Sequence, residues 1–133
     1  MVIKLQEEEL DRLCESISLK ENKGIYLIEG NLGSGKTTLV KHFVKFLGSE
    51  TFVTSPTYVL CNCYGDKIYH YDIYQKKLAE LMALGILEEF EKEGWHFVEW
   101  GGEEMARLLD KVGIAYKRLS ISLVGDFREY TFK

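Results

Sequence analysis

Apolar positions recur along this chain in two rhythms, and the change from one to the other marks out its elements. Leu10, Leu13, Cys14 and Ile17 fall at i, i+3, i+4 and i+7. That spacing makes one helix face, so residues 7–19 are expected to form an amphipathic helix whose acidic opening is its solvated side. After a polar turn, Lys20-Glu21-Asn22-Lys23-Gly24, the run from Gly24 to Glu29 is β-rich, and Leu39, Val40, Phe43, Val44 and Leu47 then return to helical spacing with Gly48 as the stop. Residues 51–54 form a short strand signal. Residues 58–64 and 67–71 read as a hairpin around Gly65-Asp66.

Residues 74–91 are helical in composition with a break at Gly85, and 94–100 is a short buried strand stopped by Gly101-Gly102. A helix over 103–111 and a second hairpin, 118–124 with 128–133 around Gly125-Asp126, are expected to complete the sheet. Strands alternating with helices define an α/β fold. A hairpin within it calls for a mixed parallel and antiparallel sheet flanked by helices.

One stretch changes this picture from fold to chemistry. Gly30, Asn31, Leu32, Gly33, Ser34, Gly35, Lys36 and Thr37 match G-x-x-x-x-G-K-S/T between the strand at 24–29 and the helix that follows. That is the strand–loop–helix order of a P-loop. Glycines let successive N–H groups turn inward around a phosphate, Lys36 is expected to reach the β- and γ-phosphates, and Thr37 offers a hydroxyl to Mg²⁺. An acid at the end of a buried strand is the complementary part, because the carboxyl edge of such a sheet opens on the nucleotide crevice. Asp72 and Glu99 both qualify.

The only proline, in Ser55-Pro56-Thr57, fixes an extended, turned segment. It reads either as a strand corner or as a loop that senses the nucleotide. Cys61 and Cys63 alternate along a strand, but no second cysteine pair accompanies them, so buried thiols are expected rather than a metal site.

Composition narrows the classes further. The 133 residues, 46% hydrophobic and 13% aromatic, argue for a single domain over 1–133 with a real core. A net charge of −4 argues against a protein that holds nucleic acid mainly through its own basic surface. No apolar run has membrane-spanning length and the N-terminus lacks the pattern of a signal peptide, so no membrane association and a cytoplasmic location are expected. The four arginines, Arg12, Arg107, Arg118 and Arg128, are scattered. A small-molecule kinase with an arginine-rich lid is therefore the weaker reading, and a hydrolase without its own arginine finger is expected to be slow until a partner joins it. A nucleotide-binding switch whose hydrolysis is incidental uses the same cradle.

Five segments in order, Gly-Asn-Leu-Gly-Ser-Gly-Lys-Thr-Thr (30–38), Thr-Ser-Pro-Thr-Tyr (54–58), His-Tyr-Asp-Ile-Tyr (70–74), Leu-Gly-Ile (84–86) and Val-Glu-Trp (98–100), resemble the TsaE family, formerly YjeE. The resemblance implies a mixed-sheet P-loop ATPase of bacterial tRNA threonylcarbamoyladenosine biosynthesis. It would use ATP and Mg²⁺ and act with the TsaB and TsaD proteins, touching tRNA only indirectly through the complex. By position it implies that Lys36 and the loop amides bind phosphates, that Thr37 and Glu99 hold Mg²⁺, and that Asp72 is an active-site acid. Lys36, Asp72 and Glu99 are then the catalytic set. Thr38 caps the α-phosphate side, Arg128 lies near the nucleotide, the Ser55-Pro56-Thr57 loop lies beside it, Trp100 adjoins the site, and the region of Gln6 borders the adenine. The chain departs from the family pattern at Gln75, where an arginine usually follows the tyrosine, and at Gly101-Gly102, where a proline or an acid is usual.

Overall fold

A computed structural model describes residues 1–31, 33–49, 52–53, 61–65 and 67–133. Leu32, Asp66 and the whole Thr-Ser-Pro-Thr-Tyr segment (54–58), with its Ser55-Pro56-Thr57 loop, therefore lie outside the described residues. Among the described residues, eight strands form one sheet: β1 (Val2–Leu5), β2 (Gly24–Gly30), β3 (Phe52–Val53), β4 (Asn62–Tyr64), β5 (Ile68–Asp72), β6 (Trp95–Glu99), β7 (Tyr116–Val124) and β8 (Phe127–Phe132). Their spatial order is β1-β8-β7-β2-β6-β5-β4-β3. The middle four, β7, β2, β6 and β5, run parallel, and antiparallel strands extend both sides. This is the expected α/β P-loop architecture with a mixed sheet.

The central position of β2 follows from its sequence. Ile25, Tyr26, Leu27 and Ile28 are all buried, the near-continuous apolar run of a strand covered on both faces. Alternation divides them. Tyr26 and Ile28 enter a core with Phe97 of β6 and with Leu39, Val40 and Phe43 of α2 (Lys36–Phe46). Ile25 and Leu27 enter the opposite core with Val98 and with Met105 and Leu109 of α5 (Gly102–Val112). Helix α1 (Leu10–Ser16) packs beside α2, while α3 (Leu78–Ala83) and α4 (Ile86–Phe90) share the second face. Among the described residues no helix is long and apolar enough to cross a membrane.

Three expectations need correction. The second hairpin does not complete the sheet, because β1 pairs antiparallel with β8, from Val2 opposite Thr131 to Leu5 opposite Arg128. Only Leu5 of its four residues is buried, too little alternation to register as a strand. The helix expected from Tyr74 begins only at Leu78. Asp72 Oδ1 accepts the Tyr74 N–H at 3.2 Å and Gln75 takes a φ of 58°, so residues 73–77 form a turn that ends beside the strand edge. The first helix is likewise shorter than 7–19, with single 3₁₀ turns at Glu7–Glu9 and Leu19–Glu21 on either side of α1.

A buried polar network fixes β5 against β6. Tyr71 donates its hydroxyl proton to His96 Nδ1 at 2.8 Å, His96 Nε2 donates to the Lys92 carbonyl at 2.8 Å, and the imidazole stacks on Tyr69 with centroids 4.6 Å apart. Burial, the largest cause, pushes the His96 pKa below its ordinary 6.5 and keeps the ring neutral. The unfolded chain then binds a proton that the folded chain refuses. His96 thus leaves stability intact above about pH 6.5 and erodes it as pH falls below, by at most about 1.4 kcal/mol per pH unit. The urea midpoint is expected to be lower at pH 5.5 than at pH 7.5, with the difference reduced in His96→Gln.

Candidate functional site

The loop after β2 turns because its glycines allow it. Gly35 has a φ of 102°, and a Cβ there would come within 3.0 Å of Arg128 Nε. A Cβ on Gly30 would meet Ser34 Oγ at 2.5 Å and the Ile121 carbonyl at 2.9 Å. Helix α2 starts directly after Gly35, with the Leu39 N–H donating to the Gly35 carbonyl at 2.9 Å. Its free N–H groups and positive dipole end face the loop.

Lys36 is buried and bent back over this loop. Its ammonium donates to the Gly30 carbonyl at 2.8 Å and the Asn31 carbonyl at 3.0 Å, with Ser34 Oγ at 3.5 Å. The same Nζ lies 3.8 Å from the ring centroid of Trp100. Desolvation lowers its pKa below the usual lysine value, against the opposing pull of Glu99 and then Asp72.

One residue on, the Thr37 hydroxyl donates to Glu99, with Oε1 at 2.9 Å and Oε2 at 3.1 Å. Glu99 ends β6 and is only 2% exposed. Its Oε2 also meets His70 Nε2, from β5. Asp72 ends β5 directly opposite Glu99 in the parallel register, but is exposed.

These groups share one cavity of about 410 Å³, lined by Gly33, Gly35, Lys36, Thr37, Thr38, Asp72, Glu99 and Arg128 together with Tyr74 and Trp100. Arg128 lies over the loop and donates from Nε to the Ser34 carbonyl at 2.9 Å. Gly30, Asn31 and Ser34 line a neighbouring cavity of about 420 Å³ and meet the first through Lys36. Gln6 is engaged with Glu9 at the end of β1, and it lines neither cavity. Arg118 is held between Glu29 and Glu103, each 2.7 Å from its Nη2, and Arg12 pairs with Glu9, so Arg128 is the arginine that reaches the main cavity.

Trp100 adjoins the site as the resemblance implies. Its φ of 69° is unusual for a bulky residue, and its ring packs on Tyr74 with centroids 4.7 Å apart. Cys61 and Cys63 are buried with their sulfurs 4.0 Å apart, and burial pushes the Cys61 thiol up to about 12. Among the described residues no group of three or more His, Cys, Asp or Glu side chains is arranged to hold a metal.

Sequence reasoning missed the contact of His70 with Glu99. The signal was present: His70 and Asp72 alternate on one strand, so both face the loop side of the sheet.

Strand, glycine loop and helix, with a lysine and threonine at the helix start and acids on the two neighbouring strand ends, make this a P-loop protein of the mixed-sheet kind. The family model described as "Threonylcarbamoyl adenosine biosynthesis protein TsaE" matches residues 5–129, and the chain belongs to the TsaE family. It is 36% identical over 114 residues to the tRNA threonylcarbamoyladenosine biosynthesis protein TsaE of Bacillus subtilis, covering 81% of this chain and 68% of that protein. The protein of the same name from Rickettsia felis is 38% identical over 107 residues, covering 75% and 61%, and that from Haemophilus influenzae is 37% identical over 91 residues, covering 63% and 56%. The matches thus span between about half and two thirds of these relatives. The crystal structure of Bacillus subtilis YdiB superimposes with a TM-score of 0.62 at 28% identity, covering 99% of this chain and 86% of that one.

Proposed function

We propose that this chain is a single-domain, cytoplasmic, Mg²⁺-dependent ATPase that assists TsaB and TsaD in forming threonylcarbamoyladenosine on tRNA. One observation carries the reading: Lys36, Thr37, Asp72 and Glu99 line the same cavity, with the Thr37 hydroxyl bonded to the Glu99 carboxylate. The pathway is that of the named relatives.

Each residue then has a task. The loop amides and the α2 N-terminus receive phosphate oxygens. Lys36 exchanges its carbonyl partners for the β- and γ-phosphates, and Arg128 and Thr38 border the rest of the nucleotide. A hydroxyl and a buried carboxylate are hard oxygen donors of the kind Mg²⁺ takes, and Mg²⁺ usually adds only one or two carboxylates to substrate phosphates and water. Thr37 can keep its proton on Glu99 while turning a lone pair to the ion. Bound there, the ion would neutralise charge on the phosphates. Asp72, exposed at the cavity edge, is placed to orient a water.

With one arginine in the main cavity, ATP turnover is expected to be slow alone and faster with TsaB and TsaD. Asp72→Asn is expected to bind ATP normally and to lose roughly 10²–10⁴-fold in turnover, the usual scale for a lost acid–base group. Equal and undetectable turnover of the unaltered protein with and without partners would end the ATPase reading. Formation of the modified nucleoside by Asp72→Asn in cells lacking the native protein would favour a nucleotide switch.

A further inference from the structure

His70 has no task in that scheme, yet it is buried and touches the buried acid at its centre. It lies in β5 opposite Phe97, and Asp72 lies opposite Glu99. His70 therefore reaches diagonally forward to the Glu99 carboxylate from one step behind the strand edge. A diagonal reach across a sheet is open to long side chains and closed to short ones. Thr37 approaches the same carboxylate from the helix. Two donors on different elements fix both the position and the rotation of the carboxyl plane, whereas one leaves it free to turn. A carboxylate that is 2% exposed has little water to bond, so such donors take the place of its hydration.

We infer that His70 is a positioning residue for this site: its Nε2–H holds Glu99 so that, with Thr37, the carboxylate is presented to a divalent cation bound with the nucleotide. This rests on the reading of Thr37 and Glu99 as the cation site. Partners that orient a ligating carboxylate typically carry about 10- to 100-fold in metal affinity.

The test separates orientation from packing by where the donor sits. Gln carries its amide nitrogen as many bonds from Cβ as His carries Nε2, while Asn is one bond short. ATP affinity is measured by calorimetry for the unaltered protein, His70→Gln, His70→Asn, His70→Phe and Glu99→Gln, first in EDTA and then across a Mg²⁺ titration, with thermal unfolding alongside. In His70→Asn and His70→Phe the Mg²⁺ concentration for half-maximal effect is expected to rise about 10- to 100-fold with affinity in EDTA unchanged. His70→Gln is expected to stay close to the unaltered protein. If His70→Phe does not fold, the Gln and Asn variants carry the comparison.

An unchanged Mg²⁺ requirement in His70→Asn, a His70→Gln as weak as it, or a parallel loss of affinity in EDTA would overturn the inference, and the last would assign His70 to packing. If Glu99→Gln itself leaves the Mg²⁺ requirement untouched, the cation site and this inference fall together. A Glu99 effect without a His70 effect overturns the inference alone.

Discussion

Lys36→Ala is expected to weaken ATP binding by roughly a hundredfold, the equivalent of about 3 kcal/mol for a lost charge-assisted contact to phosphate. The nucleotide-free protein is expected to lose no stability. In the present structure the ammonium is buried against the Gly30 and Asn31 carbonyls and the Trp100 ring, and desolvation lowers its pKa, so holding this charge costs the folded chain something. Alanine removes the cost, and the cavity is open enough for water to serve the two carbonyls. Calorimetric titration with ATP and a thermal melt without it should therefore move in different directions, or the melt should not move at all. A melt that falls sharply would mean that the lysine is a structural pin of the loop.

Phe97→Ala should act the other way round, through the fold. The ring is fully buried at the centre of the sheet, with Tyr26 at 5.5 Å and Phe43 at 5.2 Å between centroids. Removing it takes away buried apolar surface and leaves a cavity between β2, β6 and α2, a loss of about 3–5 kcal/mol. Domains of this size hold about 5–15 kcal/mol in all, so the variant should be marginal at 37 °C. Urea unfolding would read it directly, and Phe97→Leu should retain much of the difference. Phe97 also lies opposite His70 and two residues before Glu99, so a surviving Phe97→Ala protein should lose more affinity for Mg²⁺–ATP than for ATP in EDTA.

Much of this was legible in the sequence. The P-loop could be read because its chemistry is local: eight consecutive residues carry the glycines, the lysine and the hydroxyl. Glu99 and Asp72 could be read because an acid after a buried strand lies at the carboxyl edge. The bond from Thr37 to Glu99 could not, since it joins residues 62 apart in the chain through a register that only the folded sheet defines. Lys36 turned back on Gly30 and Trp100 was equally hidden, because its phosphate role says nothing of where the ammonium rests without phosphate. Strand β1 escaped because one buried residue in four leaves almost no pattern, and the turn at 73–77 escaped because its residue types suit a helix. There the Asp72 carboxylate takes the Tyr74 N–H and Gln75 adopts a φ of 58°, outside the right-handed helical region.

The neighbours of β2 have a consequence in time. The strand that leads into the phosphate loop is flanked by β6 and β7, residues 95–99 and 116–124, so both of its partners are made long after it. While the chain is synthesised from its N-terminus, β2, its loop and α2 exist for about half the length of the protein with no sheet to join. Such distant pairings close slowly. The part of the molecule that is easiest to recognise as a motif is thus among the last to become a site, and a chain ending before Trp95 would carry the whole P-loop sequence without the carboxylate or the strands that give it a shape.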